Sequence, residues 1–270
     1  MISLSNIKKE QNNNTSVYID LNCDIGQSYG IYRNESELDL LDYVSSVNIA
    51  CGAHAGDPLT IMNAFKHAKE HNLSIGAHIG YPDIQGFGYR PMELNTEELQ
   101  AVVLYQIGAI SAMAKVCHVE IEHVRLHGAL YKQAAQNFSV MSTIAETIAK
   151  YNPWIVLVGA AGENLAKAGE ANNIRIAHEL FLDKVYNHDG TIDFDAQDVI
   201  NLDYSAAQLN SILKNSTVKN NQNGFTKVEF NTIHLNLKSQ ISVEIAKMAR
   251  EVIANPVPIA ITLLRNEDLE

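Results

Sequence analysis

Residues 46–79 read SVNIACGAHAGDPLTIMNAFKHAKEHNLSIGAHI, and the stretch alternates between two periods. Ser46–Ala50 is an apolar run of strand length. The Gly- and His-bearing loop after it ends in Asp57-Pro58. Asp before Pro before an apolar periodic segment predicts a helix start. The carboxylate caps free N–H groups, and Pro fits the first turn, where its missing N–H is not needed. Ile61, Ala64, Phe65 and Ala68 then recur at helical spacing, so one face is buried. Leu73–Ala77 is strand-like again. Strand, crossover helix and strand in this order favour parallel pairing.

The same unit recurs in both directions. Upstream, Val17–Asn22 reads as a strand running into a polar loop. Downstream, a long Gly/Pro loop reaches Met92, and Thr96 is the predicted N-cap of a long helix. That helix carries Leu99, Val102, Val103, Ile107, Ile110 and Met113 on one face. A strand over His123–Leu126, a loop over His127–Tyr131, a helix over Val140–Lys150 and a strand over Trp154–Val158 continue the alternation. A helix near Asn164–Glu170 and a strand at Arg175–Ala177 follow. Residues 187–224 are polar, with one helix near Ser205–Leu213, before a strand at Thr232–Leu237 and a helix at Val243–Val252. Functional-type residues end nearly every strand. A seven-stranded parallel (β/α) barrel collects its site in that way, whereas a doubly wound sheet collects it at one switch point. The expected organisation is a polar tail over residues 1–16, a single barrel domain over 17–255 and a C-terminal tail over 256–270.

Composition narrows the function. The chain has 270 residues, 46% hydrophobic and 19% charged, with a net charge of −11. No basic stripe is available for nucleic acid, and an anionic membrane surface is disfavoured. The apolar runs are broken by Gly, His or charge before membrane-spanning length. The N-terminal MISLSNIKKEQNNNTS lacks the apolar core of an export signal. Three cysteines without paired spacing fit reduced thiols in the cytoplasm.

Four loops carry the chemistry. LNCDIGQSYG holds Asn22 and Asp24, NIACGAHAGDP holds Asn48, His54 and Asp57, IGAHIGYPDIQGFGYR holds His78, Asp83 and Arg90, and VRLHGALY holds His127 and Tyr131. Asp and His converging on one barrel mouth suit a divalent metal, or a general base beside an electrophilic stabiliser. His67, His71, His118, His123 and His188 read as structural residues of helices or polar loops. Asp57 reads as a helix cap before a catalyst, Asp83 as a turn residue, and Cys51 as a buried structural thiol. GAAGENLAKAG, residues 159–169, lacks the Lys-Ser/Thr ending of a P-loop.

These four stretches together resemble the LamB/YcsF family, with weaker echoes in YQIGAI and HELFLDKVYNHDGTI. The resemblance implies a seven-stranded βα-barrel like that of the polysaccharide-deacetylase group. It implies ATP-dependent opening of the lactam 5-oxo-L-proline to L-glutamate, together with two partner subunits, B and C. It maps the family's first Asp and two His onto Asp24, His54 and His78 and its HGALY His onto His127; catalytic roles are expected on Asp24, His54, His127 and Asp57. Substrate-binding roles fall on Asn22, Asn48, Arg90, Tyr131, Glu179, Lys184 and His234. By analogy with deacetylases, Asp24, His54 and His78 form a metal site. The chain departs from the family pattern in several places. Gln27 stands for a usual Glu, Tyr89-Arg90 for Arg-Arg, and Lys132 for the Asn that ends HGALYN. Lys184 stands where E-x-F-A-D-R ends in Arg, a later Arg has no counterpart beyond Ile192, and His234-Leu235-Asn236 replaces His-Gly-Asp. Fewer Arg means fewer bidentate grips on a phosphate or carboxylate. Two alternatives follow: a metal-dependent amidohydrolase or deacetylase working without ATP, and a binding paralogue without turnover.

Overall fold

The computed structural model describes residues 18–31, 35–237 and 239–267; the tail expected over residues 1–16 lies outside them. Seven parallel strands close into a barrel: β1 (Asp20–Ile25), β2 (Ser46–Ala50), β3 (Ser74–Ile79), β4 (His123–Leu126), β5 (Val156–Ala160), β6 (Ile176–Phe181) and β9 (Thr232–His234). A small antiparallel hairpin, β7 (Thr217–Lys219) and β8 (Phe225–Lys227), is inserted before the last strand. Closure is made by β9, which places His234 opposite both Phe181 of β6 and Asn22 of β1.

Eight α-helices accompany the strands among the described residues: α1 (Pro58–Glu70), α2 (Thr96–Val116), α3 (Gly128–Gln136), α4 (Phe138–Tyr151), α5 (Glu163–Asn172), α6 (Leu202–Asn215), α7 (Gln240–Val252) and α8 (Ile259–Glu267). A 3-10 segment covers Glu35–Tyr43. Asp57 caps α1 as its position predicts, accepting the Thr60 N–H at 2.8 Å. The cap of α2 is Asn95 rather than Thr96. Asn95 Oδ1 accepts the Glu98 N–H while the Glu98 carboxylate accepts the Asn95 N–H, so two orphan donors are satisfied reciprocally.

Three other expectations need correction. The segment after β4 is not a loop, because α3 starts at once with His127 at its N-cap. The expectation on apolar runs does not anticipate α2: interrupted at Gly108, its 21 residues are still long and apolar enough to cross a membrane by length and composition alone. Here its Leu99, Val103, Ile107 and Ile110 sit in the core of the barrel shell, while Leu104 and Tyr105 are exposed. Finally, residues 256–270 are not merely a tail. Ile259 and Leu263 of α8 join Val156, Val158 and Ala177 in a small apolar cluster. The Ile259 N–H reaches Ser46 Oγ at 3.4 Å, and the Val257 N–H donates to the Ile19 carbonyl. The helix thereby closes the N-terminal end of the barrel.

Strand β1 shows how the interior differs from the shell. Leu21, Cys23 and Ile25 pack in the apolar shell, and Asp20, Asn22 and Asp24 alternate with them. Asp20 accepts hydrogen bonds from Ser45 at 2.8 Å, Ser46 at 2.6 Å and Thr232 at 2.5 Å. Burial nevertheless raises its pKa to about 6, against the pull of those hydroxyls. Above this floor, polar side chains from six strands fill the barrel, and β5 supplies only apolar groups.

Candidate functional site

Arg125 of β4 organises the upper half of the barrel. Its Nε and Nη2 donate to the two Glu179 oxygens at 2.8 Å each, and its Nη1 lies 3.2 and 3.3 Å from the Asp24 oxygens. Burial weakens the Asp24 carboxylate, but Arg125 above all, then His78 and His234, holds its pKa well below the usual carboxylate range. Glu179 is lowered as well: burial opposes ionisation and Arg125 overrides it. Glu179 also accepts from Asn22 Nδ2 at 3.2 Å and Tyr131 Oη at 2.9 Å. With all these donors on it, Glu179 anchors Arg125, and it is not on the wall of the cavity onto which Arg125 opens.

A second network runs across the barrel floor of this site. Asn48 Nδ2 donates to Asn22 Oδ1 at 2.8 Å and to Asp24 Oδ1 at 3.0 Å, while His123 Nε2 meets Asn48 Oδ1 at 2.8 Å. His234 Nδ1 faces Asn22 Oδ1 at 2.6 Å and its Nε2 lies 3.5 Å from Asp24 Oδ2. Asn22 and Asn48 thus hold other side chains in place. His123, read from sequence as a structural residue of a helix or loop, is instead buried inside the barrel; burial pushes its pKa down to about 3.

His54, His78 and His127 form a tight cluster, with one ligand-type atom of each within 4.8 Å of the others. The His54 and His127 rings stack at 3.9 Å, and His78 meets both edge-on. Room for them comes from glycine: at Gly88, with φ +74°, a Cβ would lie 2.6 Å from the His127 ring and 2.8 Å from His54 Cβ. Burial first, then the neighbouring His78, lowers the His127 pKa to about 3, so the ring is neutral at pH 7. Its Nε2 faces the Phe87 carbonyl at 2.7 Å, an acceptor only, and therefore carries the proton. His127 Nδ1 is then a lone pair, and His78 Nε2, 3.0 Å away, is a donor shared with Asp24 Oδ2 at 3.2 Å. Both ring nitrogens of His54 are buried without a hydrogen-bond partner, as is His78 Nδ1. The expected metal set is Asp24, His54 and His78; the side chains that cluster are His54, His78 and His127, while Asp24 is engaged by Arg125.

His127 of the cluster and Arg125 open onto a cavity of about 1010 Å³, with His54 and His78 buried behind them. Asp24, Arg125, His127, Tyr131, Lys184 and His234 are among its walls, and the first turn of α3 faces it through Gly128 and Ala129. Of the other expected site residues, Asn22, Asn48, His54, His78 and Glu179 lie buried behind this wall, and Asp57 and Arg90 lie elsewhere. Asp57 accepts the N–H groups of Thr60 and Gly30, which ties the loop after β1 to α1. Arg90 is largely exposed and pairs with Asp83, bracing its own loop. Sequence reading missed Arg125, buried in an apolar strand, and Glu37. The Glu37 carboxylate accepts the Gly26 and Gln27 N–H groups at 2.8 and 3.1 Å on the cavity wall. Burial raises its pKa to about 7. Gln106 was missed too; from α2 it clamps both backbone polar groups of Gly80 at the end of β3. Cys51 is a buried thiol, its pKa raised by burial, as expected.

The LamB/YcsF family profile matches residues 19–263, the whole barrel with its closing helix. The chain belongs to the LamB/YcsF family. Among its relatives, the A subunit of 5-oxoprolinase from Geobacillus kaustophilus (strain HTA426) is 39% identical over 253 residues, covering 93% of this chain and 98% of that one. The protein of the same name from Acinetobacter baumannii (strain ACICU) is 37% identical, covering 90% and 97%. Among solved structures, the lactam utilization protein from Thermus thermophilus superposes with a TM-score of 0.83 at 31% identity, covering 90% of this chain and 99% of that one. The span matched by the LamB/YcsF family contains every residue named above on the cavity wall.

Proposed function

We propose that this chain is the A subunit of a 5-oxoprolinase, opening the lactam 5-oxo-L-proline to L-glutamate with ATP and partner subunits B and C in the cytoplasm. The observation that carries the reading is near full-length similarity to relatives named as the A subunit of 5-oxoprolinase. The cavity supports it with a carboxylate, a neutral histidine and a helix N-terminus on one wall. A lactam is a stable amide, and ATP supplies the phosphoryl group that activates its oxygen. On this chain, Asp24 accepts a hydrogen bond from the attacking water and orients it, and the water's proton goes to the departing ring nitrogen. A bond forms from the water oxygen to the activated carbon, the ring C–N bond breaks, and the ring nitrogen leaves protonated; a second water then releases the phosphoryl group from the resulting acyl phosphate as inorganic phosphate. Arg125 keeps Asp24 ionised and in place.

The His54, His78 and His127 cluster also fits a divalent cation. Neutral imidazoles are its ligand form, and His54 has two buried nitrogens that nothing in the protein satisfies. When bound there, such an ion would supply Lewis-acid polarisation of the carbonyl.

The test is co-purification with subunits B and C, followed by assay of glutamate from 5-oxoproline with and without ATP. ATP-dependent glutamate formation, lost in Asp24→Asn and His127→Asn, is expected. No glutamate from the complete wild-type complex would sink the reading.

A further inference from the structure

The cavity is many times larger than a five-membered lactam, and its outer half has its own electrostatics. Three cations line it: Arg125, Lys132 and Lys184. Arg125 is consumed by Glu179 and Asp24. Lys132 and Lys184 are each neutralised by an Asp from one short stretch, Asp195 and Asp198, at 2.8 and 2.6 Å. The two pairs are not equivalent. Lys132 and Asp195 form the outer pair on the rim, where the Asp195 side chain is 90% exposed. Lys184 and Asp198 lie within the cavity wall, each with about a quarter of its side chain accessible. Lys184 follows β6 closely, its Nζ lies 6.0 Å over the Phe181 ring, and its carbonyl accepts from Tyr204 Oη at 3.0 Å. The lysine is thus fixed at its base and held along the wall beside the barrel mouth.

We propose that Lys184 is the subsite for the substrate's carboxylate, and that Asp198 is a resident carboxylate occupying that subsite until the substrate displaces it. This rests on the reading of the substrate as a carboxylated lactam. A cation desolvated in a cavity needs an anion beside it, and Asp198 supplies one when no ligand does. A ligand bringing its own carboxylate takes over the pairing. A neutral lactam offers no such exchange. The pair therefore selects anionic over uncharged lactams, and Asp198 sets how tightly, as an internal competitor.

Binding of three small molecules to the purified chain tests this: 5-oxoproline, the uncharged 2-pyrrolidinone, and cyclopentanecarboxylate, which has the carboxylate but no lactam. Lys184→Met is expected to weaken both carboxylates by about tenfold or more, and Asp198→Asn to tighten both several-fold. Neither variant changes 2-pyrrolidinone. Tighter binding cannot come from misfolding, so Asp198→Asn protects the test from a damaged Lys184→Met. Carboxylate affinities unchanged in Lys184→Met, weakened in Asp198→Asn, or absent in the wild-type chain would overturn the proposal. If the carboxylates follow the expected pattern but the full complex makes no glutamate, the anion subsite stands and the 5-oxoprolinase reading falls.

Discussion

Arg125 and Glu179 face each other across the barrel through two parallel hydrogen bonds of 2.8 Å, and the same guanidinium reaches Asp24 with its remaining nitrogen. Every partner in this triad is buried or nearly so. Removing the cation leaves two carboxylates without compensation in a low-dielectric interior. Arg125→Met is expected to destabilise the fold by about 3–5 kcal/mol, read from urea unfolding. Arg125→Lys keeps the charge but not the planar two-pronged grip, and its stability falls between those of wild type and Met. A Met variant as stable as wild type would show that the triad does not hold the barrel.

Asp57 separates a capping role from a catalytic one. Its carboxylate accepts the Thr60 and Gly30 N–H groups, and it lies outside the cavity wall. Asp57→Ala should lower stability by about 1–2 kcal/mol while kcat stays within a few-fold of wild type. Asp57→Ser, which caps by a hydroxyl, should recover much of the stability. A large fall in kcat with an intact fold would return Asp57 to the chemistry.

The strand–helix alternation was legible because each strand is a short apolar run and each helix buries one periodic face, as at Ile61, Ala64, Phe65 and Ala68. The residues that build the site's framework were less so. Arg125 stands in a strand buried on both faces, and its partner Glu179 is 54 positions away, so nothing local marks the pair. His123 was set aside for the same reason: the Asn48 it faces lies 75 positions upstream. The α8 helix was read as a tail because its apolar residues match no strand nearby. Their partners are Val156, Val158 and Ala177, on strands far back in the chain. Local pattern encodes elements; which polar groups meet inside a barrel is set by closure.

That helix can be tested directly. Ile259 is fully buried in the cluster that stops the barrel's N-terminal end. Ile259→Ala should cost about 2–4 kcal/mol through the cavity it leaves. The site lies at the other end, so KM should change little in folded protein. An unchanged unfolding midpoint would mean that α8 is not part of the cooperative unit.

Asp20 gives a pH signature of its own. Its folded pKa of about 6 lies above the ordinary value of 3.8, because burial outweighs the three hydroxyls that donate to it. The folded state therefore binds more protons than the unfolded one between these values, and stability falls as pH rises. Its contribution is fully present below about 3.8 and is lost as pH passes through about 6. Asp20→Asn, which does not titrate, should remove this component. Relative to that variant, the wild-type protein should lose about 2 kcal/mol between about pH 4 and pH 6, and about 3 kcal/mol in all from below about pH 3 to above about pH 7. The measurement is chemical unfolding of both proteins at matched pH and ionic strength. A difference that stays flat across that window, or grows with pH, would show that the three hydroxyls keep Asp20 ionised at no cost.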